Sequence, residues 1–131
     1  MQWLDNVFSF INSIFKNWYW KRKFKHKYNN KLQRILNSDK WQVIDLRPSA
    51  AFNEHHLVGS INIPITTFKL KYYEKIKLRK KILLISNDYR SNLNVYIDLK
   101  NKRLKPYVLF GGYKDVRNNP KLDHLTVANL I

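Results

Sequence analysis

The stretch VIDLRPSAAFNEHHLVGSINIP, residues 43–64, decides the fold of this chain. It opens with apolar residues that lead into Asp45 and Arg47, and it closes at Pro64. A short apolar run bounded by polar residues predicts a buried strand. Pro48 suits the first turn of a helix, where its missing N–H costs little. The stretch therefore predicts a strand, a short helix and a brief extended segment in close succession.

The sequence on either side continues this alternation. Apolar runs predict further strands, and apolar residues at helical spacing predict further helices. We predict strands at 41–46, 61–64, 82–85 and 107–110, and helices at 31–39, 48–55 and 91–104. Such alternation implies an α/β fold with a mainly parallel sheet covered by helices on both faces. The basic segment near residues 21–30 is the candidate boundary, which predicts an N-terminal unit at 1–30 and a domain at 31–131.

These residues resemble the rhodanese-like domain family. The resemblance covers residues 31–117 and includes YVLFGGY, which is similar to the strand and double glycine that close the family's core. It implies a rhodanese-like parallel sheet of four or five strands, preceded here by an amphipathic helix. The positions that match the family's Asp-x-Arg and His-Ile-x-Gly-Ala-x-Asn-Ile-Pro segments are Asp45, Arg47, Phe52, His56, Leu57, Gly59, Ser60, Ile61, Asn62, Ile63 and Pro64.

The family's active-site loop corresponds to KKILLISNDYRS, residues 80–91. The resemblance implies a cysteine that accepts sulfur as a persulfide, then four loop residues and an arginine that opens a helix. Counting back from Arg90 places the cysteine position at Ile85, and a loop shorter by one residue places it at Ser86. The predicted vestigial loop consists of Ile85, Ser86, Asn87, Asp88, Tyr89, Arg90 and Ser91.

The chain contains no cysteine, which excludes disulfides, thiolate metal sites and a thiol nucleophile. Neither isoleucine nor serine can carry a persulfide. A sulfurtransferase cycle through this chain, or a cysteine-phosphatase reaction, is therefore chemically excluded, and we predict no catalytic residue.

Other residues near the loop have competing interpretations. Asp88 is predicted to cap the following helix. Arg90 and Ser91 either hold an oxyanion or lie at the surface, with Arg90 paired to Asp88 or Asp45. The resemblance implies that Asp45, Arg47 and His56 support the loop by hydrogen bonds.

Two further positions depart from the family pattern or bear on metal binding. Lys102 or Arg103 stands where a helix-ending glycine is expected. His55 and His56 are adjacent, which is the wrong spacing for one metal ion. We therefore predict neither a metal nor a cofactor.

The segment QWLDNVFSFINSIFKNWY, residues 2–19, predicts an amphipathic helix. Its large apolar residues fall on one half of a helical wheel and its polar residues on the other. Too many polar residues interrupt it for a membrane-spanning helix, and the cations of residues 21–27 follow at once. This pattern is typical of a helix that lies in a membrane interface, although the same face could pack on the chain's own domain or on a partner helix. The predicted membrane contacts are Trp3, Leu4, Val7, Phe8, Ile11, Phe15, Trp18, Lys21, Arg22 and Lys23.

The formal charge of +16, from 25 Lys and Arg against 9 Asp and Glu, favours anionic partners. A genome rich in A and T would also supply many lysines without such a partner. Our leading hypothesis is a catalytically inactive binding or scaffolding module. We expect it in the cytoplasm, at the inner face of the cell membrane, bound to anionic lipids or to a protein partner. The alternatives are a sulfur-transfer protein that uses an external thiol or a partner's persulfide, and a nucleic-acid-associated protein, which the dispersed cations disfavour.

Overall fold

The computed structural model describes residues 2–77, 79–88 and 92–128, with the backbone alone for residues 13–23 and Tyr73. The helices are α1 (Gln2–Lys23), α2 (Leu32–Leu36), α3 (Ser49–Glu54), α4 (Phe68–Lys75), α5 (Leu93–Asn101) and α6 (Gly112–Arg117). The strands are β1 (His26–Lys27), β2 (Trp41–Asp45), β3 (His55–Leu57), β4 (Ile61–Asn62), β5 (Lys81–Ile85), β6 (Lys105–Leu109) and β7 (Thr126–Ala128). Short 3-10 helices lie at Asn29–Lys31, Ile65–Thr67 and Pro120–Leu125.

The main sheet is parallel, with the strand order β1-β6-β5-β2-β4. β5 is the central strand, and its last residue, Ile85, pairs with Asp45 at the end of β2. This confirms the predicted α/β fold and places the candidate loop at the carboxyl edge of the sheet. Ligands of open parallel sheets bind beyond that edge.

Helices cover both faces of the sheet, so the buried residues form two clusters. One cluster joins β2, β5 and β6 to α4 and α5, and its members include Phe24, Ile44, Phe68, Ile82, Leu84, Tyr96 and Leu99. The other joins the same strands to α2, α6 and the last 3-10 helix, and its members include Leu32, Val43, Leu83, Ile85, Leu109, Tyr113 and Val116. Burial on both faces explains why the strands read as continuous apolar runs.

Two local predictions were wrong. The helix predicted to continue to His55 ends at Glu54, because His55 begins β3, which pairs antiparallel with β7 in a small second sheet. Asp88 does not cap the following helix, because α5 begins at Leu93 with Asn92 at the N-cap position.

The main sheet begins before the boundary that we predicted between residues 30 and 31. His26 pairs with Val108 of β6, and the Lys25 N–H donates to the Tyr96 hydroxyl at 3.0 Å. Phe24 is 3% exposed and packs edge-on against Tyr96. The α/β domain therefore extends back to Phe24, and the latter part of the cation run belongs to the sheet.

The N-terminal helix α1 spans 22 residues, and residues 2–12 are exposed along all of their length. The largest exposed fractions belong to Phe8 at 68% and to Trp3 and Phe10 at 67%. This part of α1 consequently does not pack on the α/β domain. Across the described ranges, no helix is both long enough and apolar enough to cross a membrane.

Candidate functional site

The candidate loop starts where β5 ends, and hydrogen bonds join it to β2. The Leu46 N–H donates to the Ile85 carbonyl at 2.8 Å, and the Ile63 N–H donates to the Asp45 carbonyl at 3.0 Å. The Asn62 side chain donates to the carbonyls of Asp45 and Arg47 at 3.0 and 2.9 Å. The strand ends that frame the loop are thus held in a fixed register.

The two positions that could correspond to a loop cysteine have different surroundings. Ile85 is fully buried at 0% exposure and belongs to the cluster beneath the sheet. Ser86 lies one residue further on, at 6% exposure, and its hydroxyl accepts from the Asn92 side chain at 3.3 Å. A group at position 85 therefore faces the core, and Ser86 is the position at the edge of the loop.

The turn that contains the double glycine packs directly against the loop. The Tyr113 N–H donates to the Ser86 carbonyl at 2.8 Å, and the Lys114 N–H donates to the Asn87 carbonyl at 3.0 Å. Gly112 has a φ of +67°, and a Cβ there would lie 2.5 Å from the Asn87 oxygen and from the Asp88 Cα. Only glycine permits this close approach.

A buried ion pair lies beside the loop. The Arg47 Nη2 is 2.9 Å from the Asp45 Oδ2, and the Arg47 Nε lies 3.1 Å from both carboxylate oxygens. The exposed fractions are 1% for Asp45 and 6% for Arg47. Arg47 also donates through Nη2 to the His55 carbonyl at 2.5 Å. The pair ties the end of β2 to the start of β3.

The guanidinium of Arg47 also stacks on an aromatic ring. Its Cζ is 3.7 Å from the centre of the Tyr113 ring, and the Tyr113 hydroxyl is hydrogen-bonded to the His55 Nδ1. Burial raises the pKa of Tyr113 to about 12. Burial, followed by the charges of Arg117 and Arg47, lowers the pKa of His55 below its ordinary value. Both side chains are therefore neutral at pH 7.

This constellation can hold strand ends together, but it offers no thiol for sulfur transfer. Comparison with known families agrees with the geometry, since the model of the rhodanese-like domain matches residues 28–119. The chain belongs to the rhodanese-like domain family. Its sequence replaces the sulfur-carrying cysteine and retains the glycine turn that packs against the loop.

Two curated proteins share part of this rhodanese-like sequence. The "Uncharacterized protein BU052" of Buchnera aphidicola is 36% identical over 73 residues, which cover 52% of this chain and 51% of that protein. A "Probable molybdopterin-synthase adenylyltransferase" of Porphyra purpurea is 34% identical over 98 residues, which cover 71% of this chain and 25% of that protein. The chain thus spans about half of the first relative and a quarter of the second.

A solved structure shares the rhodanese-like fold. The BH2092 protein from Bacillus halodurans superimposes with a TM-score of 0.66 at 18% identity. The match covers 82% of this chain and 80% of that one. The TM-score shows a common fold. At this low identity, the match carries no further functional information.

The third residue predicted to support the loop, His56, lies away from the ion pair. Its Nδ1 donates to the Phe52 carbonyl at 2.6 Å, and its ring stacks on the Phe52 ring at 3.9 Å. Because a carbonyl only accepts hydrogen bonds, the proton is on Nδ1. His56 therefore closes the end of α3. Among the described residues, no group of three metal-ligating side chains occurs.

Sequence reasoning missed the role of Tyr113, although its position directly after the double glycine was a usable signal. The structure brings Asp45, Arg47, Ile85 and Ser86 together at the carboxyl edge of the sheet. Some predictions lie outside the described residues or side chains: those for Tyr89, Arg90, Ser91, Phe15, Trp18, Lys21, Arg22 and Lys23.

Proposed function

We propose that this protein is a rhodanese-like binding or scaffolding module that carries no sulfur itself and that α1 attaches to a membrane surface containing anionic lipids. The observation that supports this proposal is the exposure of the apolar residues in the first part of α1. Six of them are more than a third exposed: Trp3, Leu4, Val7, Phe8, Phe10 and Ile11. A contiguous apolar surface of this kind normally marks an interaction site.

The energy available from this surface is large compared with that of a single contact. Burying a large apolar side chain contributes about 1.5–3 kcal/mol, so several of them together contribute several kcal/mol. Each cation near an acidic lipid surface contributes about 1 kcal/mol. Lys21, Arg22 and Lys23 end α1. Aromatic burial and electrostatic attraction thus act on one helix, and this combination favours anionic lipid over a neutral partner surface.

The experiment is a vesicle sedimentation assay with the full-length protein. We expect strong binding to phosphatidylcholine vesicles that contain phosphatidylserine, and weaker binding to pure phosphatidylcholine. Raising the salt from about 0.1 M to about 1 M shortens the Debye length from about 10 Å to about 3 Å. Binding should then weaken without being abolished, because salt screens only the electrostatic contribution.

The decisive variants differ only in the face of α1 that they change. Phe8→Glu with Ile11→Glu places two charges on the apolar face and should lower vesicle binding at least about a hundredfold, since each substitution removes one apolar side chain that the membrane would bury. Asn6→Glu with Ser9→Glu places two charges on the polar face at the same spacing and should lower it far less. Equal losses in the two variants, or no binding by the unchanged protein, would refute the membrane proposal.

The residues of the loop support the other part of the proposal, which is that the module carries no sulfur itself. Ile85 is buried in the core and the Ser86 hydroxyl cannot carry a persulfide, so we infer that the loop has a structural role in this chain. The alternative is a protein that works with an external thiol or a partner's persulfide, and the similarity to an adenylyltransferase relative favours this as the second candidate. Release of sulfide from a persulfide donor that requires both added thiol and this protein would support that alternative.

A further inference from the structure

A cavity of about 270 Å³ lies at the amino-terminal edge of the main sheet, opposite the candidate loop. Lys81 begins β5 and Lys105 begins β6, and the two are register partners on neighbouring strands. Lys25, which precedes β1, and Lys100, in the last turn of α5, complete the basic lining. Four lysines from four segments thus line one cavity. The Nζ of Lys81 lies 5.5 Å from the centre of the Trp41 ring, which packs against the other face of the sheet.

Among the residues that the structure describes, no carboxylate lines this cavity. Within the described part of the chain, the ion pairs are Arg47 with Asp45 and Arg117 with Glu54, and both lie elsewhere. Like charges on directly opposite strand residues are destabilising. Clustered cations without counter-charges also raise the local positive potential. An anion bound among them would relieve this repulsion.

Two tyrosines in the walls of the cavity lie near the ammonium groups of Lys25 and Lys100, and one of them adds a hydroxyl. The Nζ of Lys25 is 5.9 Å from the centre of the Tyr107 ring, and the Nζ of Lys100 is 6.0 Å from that of Tyr96. Tyr96 is 2% exposed, and its hydroxyl accepts from the Lys25 N–H. Among the described residues it donates to no acceptor, so its proton is available to an anion in the cavity.

The end of α5 leaves few carbonyl groups that would repel an anion. The Leu104 N–H donates to the Leu99 carbonyl and the Arg103 N–H to the Lys100 carbonyl, both at 3.0 Å. These bonds form a Schellman motif, which satisfies the last carbonyls of a helix. Leu104 then lines the cavity with an apolar side chain.

We propose that this cavity binds the phosphate group of a multiply charged anion. Lysine binds phosphate as a point charge, and several lysines favour the most highly charged group. Cavities for drug-sized ligands occupy about 300–1,000 Å³, so a cavity of about 270 Å³ suits one or two phosphate groups. A free pyrophosphate and the phosphomonoester of a lipid headgroup share this chemistry.

The test is calorimetric titration of the full-length protein with inorganic pyrophosphate in about 0.15 M salt, where the Debye length is about 8 Å. Lys81→Gln with Lys100→Gln removes two cavity cations and should weaken binding at least about tenfold, because charge-assisted hydrogen bonds are lost. Lys71→Gln with Lys121→Gln removes the same charge from exposed positions outside the cavity and should change binding less than about twofold.

Equal weakening by both double variants would show general attraction to a basic protein and would overturn the proposal, as would the absence of binding. Because Lys81 and Lys100 are exposed and their replacement removes repulsion, the unfolding transition of this variant should be no lower than that of the unchanged protein, which circular dichroism can verify.

Two further measurements identify the source of the phosphate and separate this proposal from the membrane proposal. Vesicles containing phosphatidic acid should displace pyrophosphate if the natural source is a lipid headgroup, and should leave it bound if the source is soluble. The variant Phe8→Glu with Ile11→Glu should keep its pyrophosphate affinity even if it no longer binds vesicles. Failure of α1 to bind lipid would therefore leave the phosphate site standing.

Discussion

The change Asp45→Asn should destabilise the fold strongly, because it leaves the charge of Arg47 buried without its partner. Asp45 is 1% exposed and Arg47 is 6% exposed. Three atom pairs join the side chains at 2.9–3.1 Å. Removing one partner of a buried pair typically costs about 3–5 kcal/mol. Domains of this size have a total free energy of unfolding of about 5–15 kcal/mol. The variant should therefore still fold, with a measurably lower free energy of unfolding.

The assay is equilibrium unfolding in urea, followed by circular dichroism. The control is Glu54→Gln, which makes the same carboxylate-to-amide change in an ion pair with Arg117 at 3.1 Å. That pair is 65% and 54% exposed, and exposed pairs contribute about 0–1 kcal/mol. The two variants therefore isolate the effect of burial.

A double-mutant cycle completes this test. The double variant Asp45→Leu with Arg47→Met replaces the polar pair by apolar groups. Its loss of free energy of unfolding should be smaller than the sum of the losses in Asp45→Leu alone and Arg47→Met alone, because neither charge remains buried without its partner. Additive losses, or a cost for Asp45→Asn below about 1 kcal/mol, would contradict our account of the pair as the support of the strand ends.

Three further outcomes follow from the structure. The unchanged protein should form no thiocyanate from thiosulfate and cyanide above a heat-inactivated control. Ile85→Cys should restore none, because that side chain is buried in the core. Ser86→Cys, by contrast, places a thiol at the edge of the loop. Arg103 has a φ of +62°, so Arg103→Gly should raise the free energy of unfolding in urea by about 1 kcal/mol relative to Arg103→Ala. The lowered pKa of His55 means that the unfolded chain binds its proton more readily, so stability should fall as the pH drops through about 6.5. His55→Gln should flatten that fall in urea midpoints measured between about pH 7.5 and pH 5.5.

Much of the fold was predictable from the sequence because it depends on local patterns. The apolar runs of β2, β5 and β6 are long enough to show burial on both faces, and the glycines mark the turns between elements. β1 and β3 are two and three residues long. Strands this short have no readable periodicity, so only tertiary pairing defines them. The same limit explains why the predicted domain boundary, between residues 30 and 31, lies beyond β1.

The candidate site was predictable where its parts are close in sequence. Asp45 and Arg47 stand two residues apart, and the resemblance singled out both as supports of the loop. The ion pair that joins them to each other was not predicted. Tyr113 reaches the same pair from 66 residues beyond Arg47. Its position after the double glycine places it near the loop, but no local pattern shows its contact with Arg47. Counting could not choose between Ile85 and Ser86, because the length of the loop was ambiguous. Packing distinguishes them, since only Ile85 is part of a core cluster.

The two edges of the sheet differ in the state of their charges, and this difference suggests where binding takes place. At the carboxyl edge, Arg47 is neutralised by Asp45 and covered by Tyr113, so this ion pair carries no net charge that would attract a ligand. At the amino-terminal edge, the described lining of the cavity contains four lysines and no carboxylate. α1 ends at Lys23, and Lys25 already lines that cavity. An anionic surface that held the end of α1 would therefore lie within a few residues' reach of the cavity, and the two basic features would act on the same partner.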